Sequence, residues 1–275
     1  MREAQELARL FQVPDERVDL GRAALLLARA EYPELDLNAE LTRLDELAQR
    51  GRPHVRAELP AAARVDGLRA FLAGVCGFRG NEHDYHDPTN SFLNRVLDRR
   101  IGIPISLSVV YIEIGRRLGV PLFGVGLPGH FLVKYQDRER RMFLDPFHGG
   151  RTVTLSGCRE IVERMYEGQV QFREDMLAAV EKRYILARML SNLRAVYLEQ
   201  RQLRKAVDIV EMLLALNPAS ADDLKMRGLL CYQLGRRGQS RQDLEAYLFL
   251  NPHASDAGQI KQVLQELKRV SARMN

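Results

Sequence analysis

The feature that most constrains this chain is a recurrence near its C-terminus. The segment LALNP at residues 214–218 returns as LFLNP at residues 248–252, an interval of 34 residues. Each copy follows apolar residues at three- and four-residue spacing, which is the pattern of an amphipathic helix. A fixed period of this length predicts helical hairpins that stack on one another, because one hairpin cannot bury its apolar face alone.

Thirty-four residues is the period of the tetratricopeptide repeat, and other positions agree with that repeat. Counted back from Pro218, its large and small positions hold Leu193, Tyr197, Ala206, Val210 and Leu213. Counted back from Pro252, the same or adjacent positions hold Gly228, Cys231, Ser240, Leu244 and Tyr247. Gly228 stands where two helices should approach closely. Because about three units are normally needed, KRYILARML before the repeats and QIKQVLQELKRV after them are expected to act as caps.

The N-terminal 50 residues show helical spacing of apolar residues, interrupted at Pro14 and Pro33, and predict two or three amphipathic helices. RPHVRAELP is a polar break, after which VDGLRAFLAGVCGF predicts a helix that ends near Gly77. NEHDYHDPTN is rich in turn residues, and SFLNRVLDRR resumes a helix with Asn90 or Ser91 as its N-cap.

The middle of the chain has a different pattern. Residues 105–118 are apolar nearly all round, which predicts a helix buried on most of its surface, and Gly119 is placed to end it. LFGVGL, FLVKY and RMFLDP are short runs rich in β-branched and aromatic residues, and the polar QDRERR joins the last two as a hairpin connection. We therefore expect an antiparallel sheet packed on the helix.

Two chemically active side chains belong to this sheet region. His130 and Asp145 stand 15 residues apart across the predicted hairpin, on neighbouring strands. In that arrangement the carboxylate holds the imidazole in one tautomer, and the other ring nitrogen activates a thiol or hydroxyl. The helix after Gly102 is placed to present that nucleophile at its N-terminus, where the positive end of the helix lowers the pKa of a thiol.

These motifs resemble the transglutaminase-like superfamily, whose members carry Cys, His and Asp in this order. NSFLNRVLDRRIGIPISLSVVY, LPGHFLVKY and LDPFHGG, followed by tetratricopeptide units, more closely resemble the bacterial SirB family over residues 60–275. The resemblance implies an α+β fold with a papain/transglutaminase-like core. Together with the spacing of apolar residues, it places N-terminal helices at residues 1–59, the core at 60–175 and the all-α repeat module at 181–275. It implies catalytic roles for His130 and Asp145.

The nucleophile departs from the family pattern. Aligned without gaps, Pro104 occupies the position of the cysteine, and a shift of two residues places Ser106 there instead. Cys76 precedes the predicted helix and Cys158 follows Asp145, so either reaches the site only if the fold delivers it. One interpretation is a catalytic triad of Ser106, His130 and Asp145. In the other interpretation Ser106 and Ser108 cap the first turn of the helix, and the His–Asp pair orders the cleft.

The segment around Tyr85 precedes the core helix, and we assign cleft-lining or binding roles to Tyr85, Asn90, Asn94 and Pro128. The loop EHDYHD holds residue types that bind metals, but its spacing fits no standard motif, so we expect no metal and no cofactor. FHGG after Asp145 is read as a turn that needs glycine for its backbone conformation, with His148 at the surface.

Charge and composition limit the partners. The formal net charge is +5, and residues 181–275 carry 16 Lys/Arg against 10 Asp/Glu, which leaves −1 for the rest. Without interleaved aromatics this argues against nucleic-acid binding. The charged N-terminus and the lack of a long apolar run predict a cytoplasmic protein without membrane contact. The three separated cysteines predict reduced thiols.

The sequence favours a non-catalytic protein- or peptide-binding factor over an enzyme. The alternative is a hydrolase or acyl-transfer enzyme that uses His130 and Asp145 with Ser106 or a cysteine. The partner is expected at the cleft or at a basic groove of the repeat module. An acidic peptide suits that groove, either from another protein or from the acidic stretch at residues 31–45. Alternatively, the repeats only brace the core domain.

Overall fold

The computed structural model describes residues 2–138, 140–167 and 169–272, with side chains described as far as residue 269. The helices are α1 Arg2–Leu10, α2 Leu20–Glu31, α3 Leu37–Gly51, α4 Ala61–Arg69, α5 Leu93–Arg99, α6 Pro104–Arg117, α7 Leu155–Met165, α8 Lys182–Glu199, α9 Leu203–Leu216, α10 Ala221–Gln233, α11 Arg237–Leu250 and α12 Ala257–Ala272. The strands are β1 Arg79–Gly80, β2 Ile101–Gly102, β3 Leu122–Val125, β4 Leu132–Gln136, β5 Arg141–Asp145 and β6 Arg151–Val153. None of these described helices is both long and apolar enough to cross a bilayer.

The chain divides into two compact units. One comprises Leu10–Met189, and the other comprises Met1–Arg9 together with Leu190–Asn275. Helices α2 and α3, from the expected N-terminal region, therefore belong to the same unit as the sheet. The predicted α+β core followed by an all-α repeat module is confirmed.

Helix α6 is the centre of the first unit. Its residues from Pro104 to Gly115 are all buried, as the apolar sequence predicts. Helices α2, α3 and α5 contact it, and so do strands β3 and β4. Gly119 adopts a φ of +69° immediately after the helix, so its predicted role in ending α6 is confirmed.

One carboxylate is enclosed within this packing. Glu113 on α6 is 1% exposed, and its side chain is paired with Arg117 one turn later and with Arg116 at 3.1 Å. Arg117 also donates from Nε to the Asp45 carboxylate of α3 at 2.7 Å. On α2, a Cβ atom at Gly21 would lie 2.9 Å from Glu113 Oε2, so this crossing requires glycine.

The sheet has the strand order β3-β4-β5-β6 and is antiparallel throughout. The hairpin between β4 and β5 pairs Lys134 with Phe143, and the predicted antiparallel sheet on the helix is confirmed. Strand β6 was not expected, because Arg-Thr-Val is too short and polar to show a strand pattern. A separate parallel pair joins β1 to β2.

The predicted N-cap of α5 is wrong. The helix begins at Leu93 with Phe92 at the cap position, and Asn90 and Ser91 lie in the preceding 3-10 turn. That turn is capped by Asp87, whose Oδ1 accepts from the Thr89 backbone N–H at 2.9 Å. Asp87 is better placed than Asn90 because a proline follows it at the first position of the turn.

In the repeat unit, Gly228 on α10 faces Leu244 on α11. A Cβ atom at Gly228 would lie 2.7 Å from Leu244 Cδ2, so the predicted close approach of two helices is confirmed. Several basic side chains here are already paired with carboxylates: Arg194 with Asp223 at 2.6 Å, Lys225 with Asp256 at 3.0 Å and Arg227 with Asp243 at 2.7 Å. The formal basic excess is therefore only partly available to a ligand.

Substitution of Gly228 should loosen the pairing of α10 with α11. We expect Gly228→Ala to destabilise the repeat unit by about 1–3 kcal/mol, because the buried Leu244 must move. Hydrogen exchange of the α10 and α11 amides in the full chain measures the effect. Gly238→Ala is the matched control, since nothing lies within 4 Å of a Cβ there. Equal exchange rates in the two variants would contradict the close-packing explanation.

Candidate functional site

His130 is positioned by the turn at residues 127–130. The His130 backbone N–H donates to the Leu127 carbonyl at 3.2 Å, and Gly129 between them has a φ of +71°. Pro128 followed by glycine with positive φ is the sequence pattern of a type II turn. The sequence predicted that His130 lies on the strand itself. His130 lies instead in the turn, two residues before β4 begins.

Asp145 is the last residue of β5 and begins a turn over DPFHGG. The Gly150 backbone N–H donates to the Asp145 carbonyl at 2.8 Å, and Gly149 and Gly150 have φ values of +67° and +69°. A Cβ atom at Gly150 would lie 2.6 Å from the Tyr111 hydroxyl oxygen. The expectation that this turn needs glycine is confirmed.

The turns bring two imidazoles to one carboxylate. His130 Nε2 lies 3.1 Å from Asp145 Oδ1, so the predicted approach of these two side chains is confirmed. His148 Nδ1 lies 2.6 Å from Asp145 Oδ2. These three residues are called the His–Asp–His cluster below. The His130 contact is close but does not have the geometry of a hydrogen bond, and the buried Nε2 atom has no hydrogen-bond partner among the described residues.

Asp145 is fully buried, and its environment keeps it ionised. Burial alone would raise the pKa of the Asp145 carboxyl, but the close contacts with His130 and His148 and the positive charge that these imidazoles carry when protonated outweigh it and lower that pKa to about 2. The Arg151 guanidinium adds a weaker attraction, with NH2 at 3.5 Å from Oδ2. The carboxylate is thus an anion at neutral pH.

The role of His148 in this cluster was missed from the sequence. Its side chain is 39% exposed, in agreement with a surface position, but its ring is anchored on Asp145. The sequence signal was the spacing of the two residues. When a histidine follows an aspartate by three residues within a glycine-rich turn, its ring can contact the carboxylate at the start of that turn. The backbone N–H of His148 points the same way, 3.4 Å from Oδ1.

Among the described residues, Ser106 forms no hydrogen bond with His130. Ser106 is fully buried in the first turn of α6, where its Oγ accepts from the Ile103 backbone N–H at 3.1 Å. The same hydroxyl lies 2.6 Å from the Asn90 carbonyl, to which it donates. Within the described part of the chain its hydrogen bonds are all to backbone atoms. The capping interpretation of Ser106 agrees with these contacts, and Pro104 beside it is the buried first residue of α6.

The thiols of Cys76 and Cys158, the two cysteines of the unit that contains the sheet, have raised pKa values. Cys158 on α7 is fully buried in a cluster of apolar side chains, and burial raises its pKa to about 11. Burial also raises the pKa of Cys76 above its ordinary value, although Arg50 and Arg100 act in the opposite direction. A thiol must ionise to act as a nucleophile, so neither has the environment of a catalytic cysteine.

Tyr85 and Pro128 lie near His130. Tyr85 is 43% exposed and packs edge-on against Phe147, with ring centroids 6.0 Å apart. Phe147 in turn is edge-on to His130 at 6.3 Å. Pro128 is half-buried in the turn that carries His130. The binding roles of Tyr85 and Pro128 stay predictions, on a surface that adjoins the cluster.

Asn90 is occupied by the loop around it. Its fully buried amide donates to the Asp84 carbonyl at 2.7 Å and accepts from Asn81 Nδ2 at 3.0 Å. It therefore orders the EHDYHD loop and has little capacity left for a ligand. Asn94 is 6% exposed, and its Oδ1 has no hydrogen-bond partner among the described residues.

Replacement of Ser106 separates a capping role from a catalytic one. We expect Ser106→Ala to lower the free energy of unfolding by about 1–3 kcal/mol, because the buried Ile103 N–H loses its acceptor. Ser108→Ala is the control: Ser108 Oγ only donates to the Pro104 carbonyl at 2.8 Å, and no buried donor is left unpaired. Chemical denaturation measures both. A smaller loss for Ser106→Ala than for Ser108→Ala would contradict the capping role.

Comparisons with known proteins agree with this architecture. The family model described as transglutaminase-like superfamily matches residues 38–191, and a tetratricopeptide-repeat model matches residues 193–265. No solved structure matches the chain.

Several relatives share most of this chain. A UPF0162 protein of Xylella fastidiosa is 37% identical over 265 residues, covering 94% of this chain and 93% of the relative. Protein SirB1 of Salmonella typhimurium is 28% identical, covering 76% of each chain. Human F-box only protein 21 is 30% identical over 62% of this chain but 28% of its own length. The chain belongs to the transglutaminase-like superfamily, in a SirB-like group that adds tetratricopeptide repeats to the core domain.

Proposed function

We propose that this protein is a non-catalytic protein- or peptide-binding factor built on a transglutaminase-like core. The observation that carries the proposal is the start of α6. Pro104, which takes the place of the superfamily's cysteine when the two sequences are aligned without gaps, is buried. Ser106, the nearest hydroxyl in the alignment, is committed to backbone partners. His130 and Asp145 are thus a base and its orienting carboxylate without a nucleophile to activate.

Covalent acyl transfer needs more than a base. The nucleophile must lie within about 2.6–3.2 Å of the imidazole, or reach that distance on substrate binding. A buried serine held by two backbone groups loses both hydrogen bonds if it turns toward His130, and each such loss is costly inside a protein. The cluster is better suited to ordering the cleft than to attack on a carbonyl.

The surface beside His130 supports a binding role. The loop that carries it is flanked by large side chains that are partly exposed: Tyr184 at 46% and Met165 at 52%. A Cβ atom at Gly126 would lie 2.8 Å from the Tyr184 ring, and one at Gly129 would lie 2.7 Å from Met165. Tyr184 and Met165 near this turn, and Tyr85 beside Phe147, are aromatic and sulfur-containing side chains, which are enriched in protein interfaces.

The repeat module is the second part of the proposal. Tetratricopeptide repeats support protein–protein interaction in general, and stacked helical hairpins form extended binding surfaces. The internal ion pairs of Arg194, Lys225 and Arg227 reduce the basic charge available for an acidic peptide. If the repeats bind a ligand, we favour an acidic peptide. The alternative is that the repeats only brace the core domain.

Labelling with reactive probes tests the non-catalytic assignment. The full chain and His130→Ala are treated separately with a fluorophosphonate and an iodoacetamide probe, and the modified residues are identified by mass spectrometry. We expect equal labelling rates, because no nucleophile depends on His130. Base activation would instead give a difference of about 10²–10⁴-fold.

Cys76→Ser is the matched control for this experiment, since Cys76 is the partly exposed thiol of the core unit and its removal shows how much iodoacetamide labelling occurs without help from His130. Labelling at Ser106 or at any cysteine that falls with His130→Ala would overturn the proposal in favour of a hydrolase or acyl-transfer enzyme.

Peptide selection tests the binding role. Peptides selected from a displayed library on the immobilised full chain should lose affinity by about 10-fold or more in Tyr85→Ala, a loss of about 1.4 kcal/mol. Phe123→Ala is the control, because Phe123 is an aromatic side chain of the same unit that is 44% exposed, as Tyr85 is at 43%, and it does not belong to the cleft-lining set. Failure to select any peptide sensitive to Tyr85 would count against the cleft as the binding surface.

A further inference from the structure

Three donor atoms from two turns converge beside the end of β5. Within the described residues, His130, Asp145 and His148 are the one group of metal-binding side chains whose donor atoms all lie within 4.8 Å of one another. We infer that the His–Asp–His cluster is a binding site for a single divalent transition-metal ion, with Zn²⁺ as the reference ion. The acidic loop EHDYHD, which has more of these residue types in sequence, brings together no such group.

The donor set suits this class of ion. Imidazole nitrogens with one carboxylate oxygen bind zinc, iron, copper and nickel, whereas calcium and magnesium prefer oxygen donors alone. Zinc binds nitrogen and oxygen at about 2.0–2.2 Å, which places tetrahedral donors roughly 3.4 Å apart. His130 Nε2 is 3.1 Å from Asp145 Oδ1, close to that separation. His148 Nδ1, at 2.6 Å from Oδ2, must move outward by less than an ångström.

The orientation of His130 is an independent indication. Its side chain is 10% exposed, and within the described part of the chain its buried Nε2 atom forms no hydrogen bond, although Asp145 Oδ1 lies 3.1 Å away. A buried polar atom without a hydrogen bond destabilises the folded state, and proteins contain few of them. A neutral imidazole with its lone pair directed at a cation removes that cost. Asp145, fully buried next to it, supplies the negative charge that a divalent ion requires.

Two arginines lie near the cluster, and neither blocks it. The Arg151 guanidinium approaches Asp145 Oδ2 at 3.5 Å, but its side chain is 53% exposed and is free to turn into solvent. Arg188 donates from NH2 to the His130 carbonyl at 3.0 Å and so holds the backbone of the turn, not the ring. Three protein donors leave at least one coordination position open, as in zinc sites that bind water.

Cobalt titration of the metal-stripped full chain tests the inference. Co²⁺ takes the place of zinc and reports nitrogen and oxygen ligands through its visible absorption bands. We expect one equivalent to bind, Zn²⁺ to displace it, and Zn²⁺ to raise the thermal midpoint of unfolding, since a ligand of the folded state stabilises it. His148→Ala should weaken Co²⁺ binding by about 10-fold or more.

His83→Ala is the matched control, because His83 is an exposed histidine of the EHDYHD loop, and it should leave binding unchanged. Asp145→Asn, which keeps the side-chain shape and removes the charge, provides a second variant whose folding is checked by circular dichroism. Absence of a saturable cobalt spectrum, or binding that survives both His148→Ala and Asp145→Asn, would overturn the inference. So would a loss in His83→Ala as large as that in His148→Ala.

Discussion

Helix α6 has apolar side chains on every face, and water must be removed from all of them at once. Full burial of one Val, Leu or Ile side chain contributes about 1.5–3 kcal/mol, so the helix supplies a large part of the hydrophobic stabilisation of its unit. Helices and strands contact it from different directions because each brings one apolar face. The positions of both turns that carry the His–Asp–His cluster follow from this arrangement, since β4 and β5 are held in the sheet beside α6.

The sequence predicted those parts of the structure that have a regular residue pattern or a backbone conformation that favours glycine. The 34-residue recurrence predicted the helices of the repeat module, and the apolar run at residues 105–118 predicted α6 to within one residue at each end. The turns at Gly119 and Gly150 were predictable because glycine adopts a positive φ at little cost. The order of His130 and Asp145 across one hairpin was sufficient to predict their proximity, since register brings neighbouring strand ends together.

The unpredicted part depends on turns and on orientation. His148 reaches Asp145 only because the DPFHGG turn reverses the chain within three residues. The periodicity of the sequence does not predict such a reversal. The lack of an in-line partner for His130 Nε2 is a matter of angle, which spacing does not contain. Asn90 was assigned as a helix cap, although its amide is used by the loop before it. Competing local hydrogen bonds decide such cases.

The enclosed carboxylate of Glu113 determines where this protein tolerates truncation. Glu113 is covered on one side by the bare backbone of Gly21, and Arg117, which pairs with it, is also held by Asp45. Removal of the N-terminal 59 residues would expose the apolar side of α6 and open to solvent a carboxylate that is now 1% exposed. The smallest fragment that folds should therefore start before α2, well ahead of residue 38, where similarity to the superfamily begins.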